Sequence, residues 1–324
     1  MQYFKLILST VLIIIFNQIN FVNCKLTFFS GGTGFKSLFT GDKLYFQNFI
    51  TNFFYVDLTG VSLDSDTLVD QSKWIDLTDV KPQPDSLTSN NPILGGINND
   101  KIMFFDISGE NAIIDTFDTT LKQWVINQQV KTPINFFSDN NDWITDAKTG
   151  KAYSFDSTTT GMSIFDTVNL SLVKSLSTPK NLFTGTLVFY SDFVQVELPN
   201  GQILFIGGKL GSQSQSMKSL LTYDTIKDVW QMTNTAGTEP QGRTKHTAVS
   251  TSDGRVIVYG GVLNTVPALP QLAVLDTSII PYTWSAPTEV NPIGSFSDHT
   301  AVMANNYMIF AFGKYTIHTI YFFI

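Results

Sequence analysis

Arg243, Lys245 and His246 fall within four positions of the segment GRTKHTAVSTSDGRVIVYGG, residues 242–261. Two cations beside an imidazole could hold an anion or move a proton. The chain has only three histidines, His246, His299 and His318. His299 opens a second HTAV, 53 residues after the first. Equivalent residues of successive repeats need not converge, and a metal needs three or four close ligands. Both histidines are therefore expected to satisfy backbone groups at the start of a strand. Arg243 does not recur, since Phe296 takes its place, and Lys245 is replaced by Asp298. These two cations are expected in a solvated turn, with a local contact as the alternative. His318 lies in an irregular tail with no partner to argue from.

Other chemistry is sparse. FFSDNNDWITD (136–146) gathers Asp139, Asn140, Asn141, Asp142 and Asp146, the oxygen-rich composition that calcium favours. It lacks the spacing and closing glutamate of an EF-hand, so it reads as a surface turn. SGGTG (30–34) has neither the lysine nor the following helix of a phosphate loop. No G-x-S-x-G elbow is present. Carboxylate pairs such as Asp64 and Asp66 cannot be placed in space from sequence, which leaves a glycosidase reading without support. The reading assigns no catalytic residue, no cofactor and no metal, and expects a non-enzymatic protein.

The elements that would position these residues come next. Of the 324 residues, 43% are hydrophobic and 15% charged, a profile with enough apolar material for a large core. Enrichment in Phe, Tyr, Val, Ile and Thr favours strands, and no helical period is convincing. The N-terminus carries Lys5, then an apolar run from Leu6 to Phe16, with Val22 and Cys24 at suitable positions for cleavage before Lys25. Residues 1–24 read as a signal peptide, with a buried strand or helix and an uncleaved anchor as alternatives. The run is well short of the roughly 20 residues a membrane span needs, and no other span is expected. Cys24 is the only cysteine, so a chain cleaved there would have neither disulfide nor thiolate chemistry. Cleavage would leave 19 cations against 27 anions, a surface that repels nucleic acid. A secreted or extracellular protein is expected, and a monomer. Asn169-Leu170-Ser171 is a glycosylation acceptor in such a setting.

The repeat organises the chain. VELPNGQILFIGG (196–208) matches STSDGRVIVYGG (250–261) at an offset of 53. The glycines are Gly207-Gly208, Gly260-Gly261 and Gly313. A second motif, an apolar run, Asp-Thr, a short turn and a bulky apolar residue, recurs with its aspartates at Asp118, Asp166, Asp224 and Asp276. Trp124, Trp230 and Trp284 close three of the copies. Strand, turn, strand, Gly-Gly, loop, strand, Asp-Thr turn, strand, repeated about every 50 residues, is the pattern of a propeller blade.

On these glycine pairs, Asp-Thr turns and tryptophans the sequence resembles a kelch-repeat β-propeller of the galactose oxidase-like superfamily, clearly from Asn181 to Gly313 and weakly from Lys43 to Leu176. There KAYSFDS (151–157) stands where a glycine pair is expected. The leader followed by a propeller resembles secreted or cell-surface fungal kelch proteins. The resemblance implies an all-β fold in a single domain over 25–324. Six blades of four antiparallel strands are expected, over about 36–78, 92–126, 132–176, 182–233 and 241–287, and from 294 onward. The last lacks an outer strand. It is either incomplete or closed by the N-terminal strand KLTFF (25–29). Copper-radical chemistry as in the superfamily's name-giving enzyme needs a cysteine that the cleaved chain lacks. A non-enzymatic protein binding an unidentified protein or glycan through its loops is the expectation. An extracellular carbohydrate-active enzyme and an intracellular kelch adaptor are the alternatives.

Overall fold

The structure, a computed structural model, describes residues 18–25, 34–48, 52–61, 73–82, 84, 91–108, 111–132, 142–156, 161–179, 190–290, 294–314 and 319–323. Its first strand is β1 (Gln18–Lys25). Antiparallel units follow in chain order. Unit one holds β2 (Phe35–Thr40), β3 (Lys43–Asn48), β4 (Asn52–Asp57) and β5 (Trp74–Asp76). Unit two holds β6 (Ile93–Gly95), β7 (Lys101–Ser108), β8 (Asn111–Asp118) and β9 (Gln123–Lys131). Unit three holds β10 (Ile144–Asp146), β11 (Lys151–Asp156), β12 (Gly161–Asp166) and β13 (Ser171–Lys174). Unit four holds β14 (Tyr190–Glu197), β15 (Gln202–Leu210), the short β16 (Gln213–Ser214), β17 (Ser219–Asp224) and β18 (Val229–Gly237). Unit five holds β19 (Thr247–Ser250), β20 (Arg255–Tyr259), the hairpin β21 (Val262–Leu263) and β22 (Val266–Pro267), then β23 (Leu272–Asp276), β24 (Tyr282–Ser285) and its extension β25 (Thr288–Val290). Unit six holds β26 (Thr300–Ala304), β27 (Tyr307–Ala311) and β28 (Thr319–Phe323).

The core explains why the units form a ring. In β20, Val256 and Val258 pack into a cluster with unit four, while Ile257 and Tyr259 pack into another with unit six. In β15, Ile203 and Phe205 face unit three and Leu204 and Ile206 face unit five. Successive residues of a strand point to opposite faces, so each sheet is covered on both sides. The middle strands are apolar on both faces, as "VIVY" and "ILFI" show. Phe35, Phe46 and Phe54 of unit one cluster with Ile309 and Phe312 of unit six, which brings the last unit back to the first. β26 also packs against β2, and the Ser37 and Thr300 hydroxyls meet at 2.7 Å.

The two chain ends meet in one sheet. β1 lies antiparallel to β28, from Phe21 opposite Phe323 to Lys25 opposite Thr319, and its start runs parallel to β25, Gln18 opposite Thr288. The strand expected for this place, KLTFF, shares only Lys25 with β1, and residues 26–29 lie outside the described residues. The strand that pairs is the preceding one because it reaches both β28 and β25. Units four and five are stitched alike: β18 pairs in parallel with β24 through Thr235–Gly237 and Tyr282–Trp284. A chain starting at Leu26 is expected to melt on the order of 5 °C below one starting at Gln18, because β1 covers two strand edges. Equal melting temperatures in a calorimetric scan would show that β1 does not close the ring.

Candidate functional site

The motif residues build the joints between units. In the Asp-Thr turns the aspartate caps its own turn: Asp118 Oδ1 accepts from the Thr120 and Leu121 N–H at 2.9 and 2.8 Å. Asp166 Oδ1 does the same for Val168 and Asn169 at 3.0 and 2.8 Å. Asp224 Oδ1 takes Ile226 and Lys227 at 3.1 and 2.9 Å, and Asp276 Oδ1 takes Ser278 at 2.9 Å. The threonine, whose part sequence reasoning missed, staples this turn to the turn between the first two strands. Its hydroxyl donates to Asp100, Gly150, Gly201 or Gly254 O at 2.5–2.8 Å, and its N–H to the same carbonyl. These turns define one rim of the ring, the turn face.

The tryptophans each cover the preceding unit. Trp124 lies 5.6 Å from Phe53 of unit one and Trp230 lies 5.3 Å from Phe155 of unit three. Trp284 packs on Val196, Leu204 and Ile206 of unit four, and its Nε1 donates to Met217 O at 2.9 Å. In unit three Phe155 holds the register position of Ile206 and Tyr259, and Asp156 that of Gly207 and Gly260.

The histidine and glycine pair belong to one joint. A Cβ on Gly207, whose φ is +62°, would stand 2.5 Å from Arg243 O and 2.6 Å from His246 Cε1. On Gly260, with φ +67°, it would meet Phe296 O at 2.4 Å and His299 Cε1 at 3.0 Å. Each ring thus lies over the first glycine of the preceding unit, and the second glycine of its own unit backs it: Gly261 behind His246, Gly313 behind His299. The N–H of Gly208 donates to Arg243 O at 2.8 Å. His299 Nε2 meets the Thr247 hydroxyl at 2.7 Å. Neither nitrogen of His246 makes a full hydrogen bond, the Ile206 backbone being its nearest partner. The backbone contacts expected of the two rings are thus replaced by packing, because the glycines let them in so close.

Arg243 overturns its expectation. It is fully buried, and its guanidinium reaches four carbonyls: Pro270 at 2.8 Å, Gly260 at 3.0 Å, Gln241 at 3.2 Å and Gln271 at 3.4 Å. A planar fork with five donors can satisfy so many acceptors at once, which a solvated turn would not need. It pins the linker between units four and five to loop 262–271, whose Leu269 N–H also binds Gln241 Oε1 at 2.9 Å. Burial lowers its pKa only to about 10, so it stays charged.

Lys245 makes a contact between units. Its ammonium lies 3.4 Å from Asp298, its counterpart one repeat on, and Lys314 lies 3.1 Å from the same carboxylate. Asp192, Lys245 and Asp298, 53 residues apart, share left-handed φ values of 57°, 58° and 57°. Asp192 pairs with Lys209 at 2.8 Å, and Lys36 reaches across to Asp142. These pairs ring the loop-side mouth of an axial channel of about 970 Å³ lined by the first strand of every unit. Lone residue types gave no sign of this; the left-handed position, where aspartate is favoured, was the readable hint.

Toward the turn face the channel holds Glu197 beside Asp146 of unit three. Two carboxyl groups in contact leave no width for a sugar between them, unlike the separated pair of a glycosidase. Asp146 is also engaged in its own turn, by Lys148 N–H at 2.8 Å and the Thr149 hydroxyl at 2.7 Å. Among the described residues no three His, Cys, Asp or Glu side chains gather as a metal group. Asp139, Asn140, Asn141, Asp64, Asp66 and His318 lie outside the described residues. Asn169 is exposed on the turn face, its Nδ2 donating to Asp166 Oδ2 at 2.9 Å.

A ring of antiparallel sheets around an axial channel is a β-propeller. The solved structure of YjhT superposes with a TM-score of 0.59 over 92% of this chain and 95% of that one, at 10% identity, a likeness of fold alone. Residues 193–321, under half of the chain, match the model of the KLHDC2/KLHL20/DRC7 Kelch-repeats domain. No curated protein matches the chain.

Arg243→Ala is expected to cost on the order of 3–5 kcal/mol in a urea titration, because four buried carbonyls lose their donor, and Arg243→Lys to recover only part. An Arg243→Ala variant as stable as the parent would refute this wiring. Stability should also fall with acid. Burial holds His246 at about 3 and His299 at about 4, below the ordinary 6.5. Their contribution is complete above about pH 6.5 and is lost as pH falls toward those values, by up to about 1.4 kcal/mol per pH unit for each ring. Glu197, raised to about 8 by burial and then by Asp146, acts oppositely, its contribution being lost as pH rises toward 8. Urea titrations between about pH 7 and 5 should show a shallower loss in His299→Gln than in the parent; parallel slopes would acquit the ring.

Proposed function

We propose that the chain is a non-enzymatic, secreted or cell-surface kelch propeller that binds a protein through the face bearing its long loops. The observation carrying this is the pinned loop 262–271. Val266 and Leu269 on it are 59% and 58% exposed, while Arg243 and Gln241 fix the backbone beneath them. Exposed apolar side chains on a preorganised loop favour association because little ordering remains to be lost on binding. Loop 211–218 is tied in similarly, by Ser216 to Glu239 at 2.6 Å and Gln215 N–H to Gly208 O at 2.9 Å. A polar, ion-paired mouth surrounded by such loops is the polar setting in which a partner's side chains are oriented. The apolar run Leu6–Phe16 of the leader read at residues 1–24 supports secretion, with the cut proposed before Gln18 so that β1 is kept, and Asn169 on the opposite face leaves the loops clear of a glycan.

The purified chain is to be tested against a panel of extracellular proteins and a glycan array, with Val266→Asp/Leu269→Asp as the loop variant and Ile226→Asp as the turn-face control. The expected outcome is a protein ligand retained by the parent and Ile226→Asp and weakened at least about tenfold by the loop variant. Binding lost only in Ile226→Asp, or glycan binding alone, would overturn the reading. Recovery of the chain from cytosol with Met1 intact would overturn secretion.

A further inference from the structure

The channel carries oxygen acceptors that the fold leaves unanswered. Gln195 and Glu197 lie two apart on β14, so they share a face, and both line the channel. Gln195 is 7% exposed; its Nε2 donates to Asp142 O at 2.7 Å, while its Oε1 is buried without a partner. An orphaned buried amide oxygen destabilises the fold until a donor reaches it. Beside it, Glu197 faces the Asp146 carboxylate across the joint between units three and four. The cation nearest this pair is Lys148, and its ammonium is engaged by Pro199 O at 2.8 Å. The Tyr153 phenol lies near both carboxyls, and its own hydrogen bond is to Thr225. Further along the channel Lys36 is neutralised by Asp142. Burial and the Asp146 charge together raise Glu197 to about 8, as expected of a carboxyl short of a countercharge.

We propose that this corner of the channel binds a small organic ammonium ion, which donates to the Glu197 carboxylate and to Gln195 Oε1. Gln195 Oε1 and, once ionised, the Glu197 carboxylate can only accept, which suits a ligand that only donates, and an ammonium carries three donors and no acceptor. A metal is the poorer fit, because a hard cation takes six or more oxygens and among the described residues no third acidic side chain joins the pair. The site lies toward the turn face, so it stands or falls separately from the loop-face reading.

Binding requires Glu197 to ionise, so the amine and a proton compete. Calorimetry of the full chain with putrescine should show affinity rising about tenfold per pH unit up to about pH 8, then levelling, with up to about one proton released per amine below that pH. Glu197→Gln mimics the neutral carboxyl and should keep the parent's melting temperature while weakening putrescine at least about tenfold and flattening the pH profile. Gln195→Leu should weaken binding and keep the pH profile. Butane-1,4-diol, the neutral match, should not bind. No heat with about 1 mM putrescine at pH 8, a pH-independent affinity, equal binding of the diol, or binding of calcium chloride alone would overturn the proposal. Should Glu197→Gln not fold, the parent's pH profile and proton release decide the matter.

Discussion

Near the axis the backbone of one unit passes so close to the next that residue 207 has room for a hydrogen atom and nothing larger. The same holds at residue 260, and in both places the intruding group is a histidine ring together with the carbonyl three residues before it. Much of the architecture follows from that approach. It lets the second glycine's N–H bond the next unit's linker, and it seats the rings out of water, where they stay neutral. It also brings apolar faces together, so that both sides of a middle strand are buried. Close packing of this kind tolerates little change of volume, which is why glycine returns at each tight joint while the outer positions drift.

The repeat was readable because this constraint selects residue types. Gly207-Gly208 and Gly260-Gly261 could be aligned by eye, as could the Asp-Thr pairs. Trp124, Trp230 and Trp284 mark the ends of three copies by size alone, and each indole lies on the unit before it. What could not be read was whatever depends on several distant segments at once. Arg243 looked like a surface cation because its partners are backbone carbonyls, which have no residue type, at positions up to 28 residues away. Lys245 and Asp298 looked like an unrelated substitution, although opposite charges at the same site of adjacent units attract. Glu197 gave no sign at all, because its environment is supplied by Asp146 from another unit.

The two rims differ in what they leave free. On the turn face nearly every polar group is consumed locally: the aspartates cap their turns and the threonines staple them, leaving single aliphatic tips such as Ile226 in water. On the loop face the stapling is done from below, by Arg243 and Gln241, so the backbone is held while the side chains above it are not. Rigid support with free side chains is the division of labour that makes a loop a recognition surface.

The first strand constrains the proposed secretion. The leader proposed there would need an apolar run, and Leu6–Phe16 is such a run upstream of β1. Ring closure needs Gln18–Lys25, which pairs with β28 and β25. Cleavage before Lys25 would strip seven of these eight residues and leave two strand edges unpaired, the condition that closed rings exist to avoid. Cleavage before Gln18 would serve both ends. The proposed leader is therefore compatible with ring closure only if its cut falls between the apolar run and the strand, and the cost of exposed edges favours that position over the Cys24–Lys25 bond.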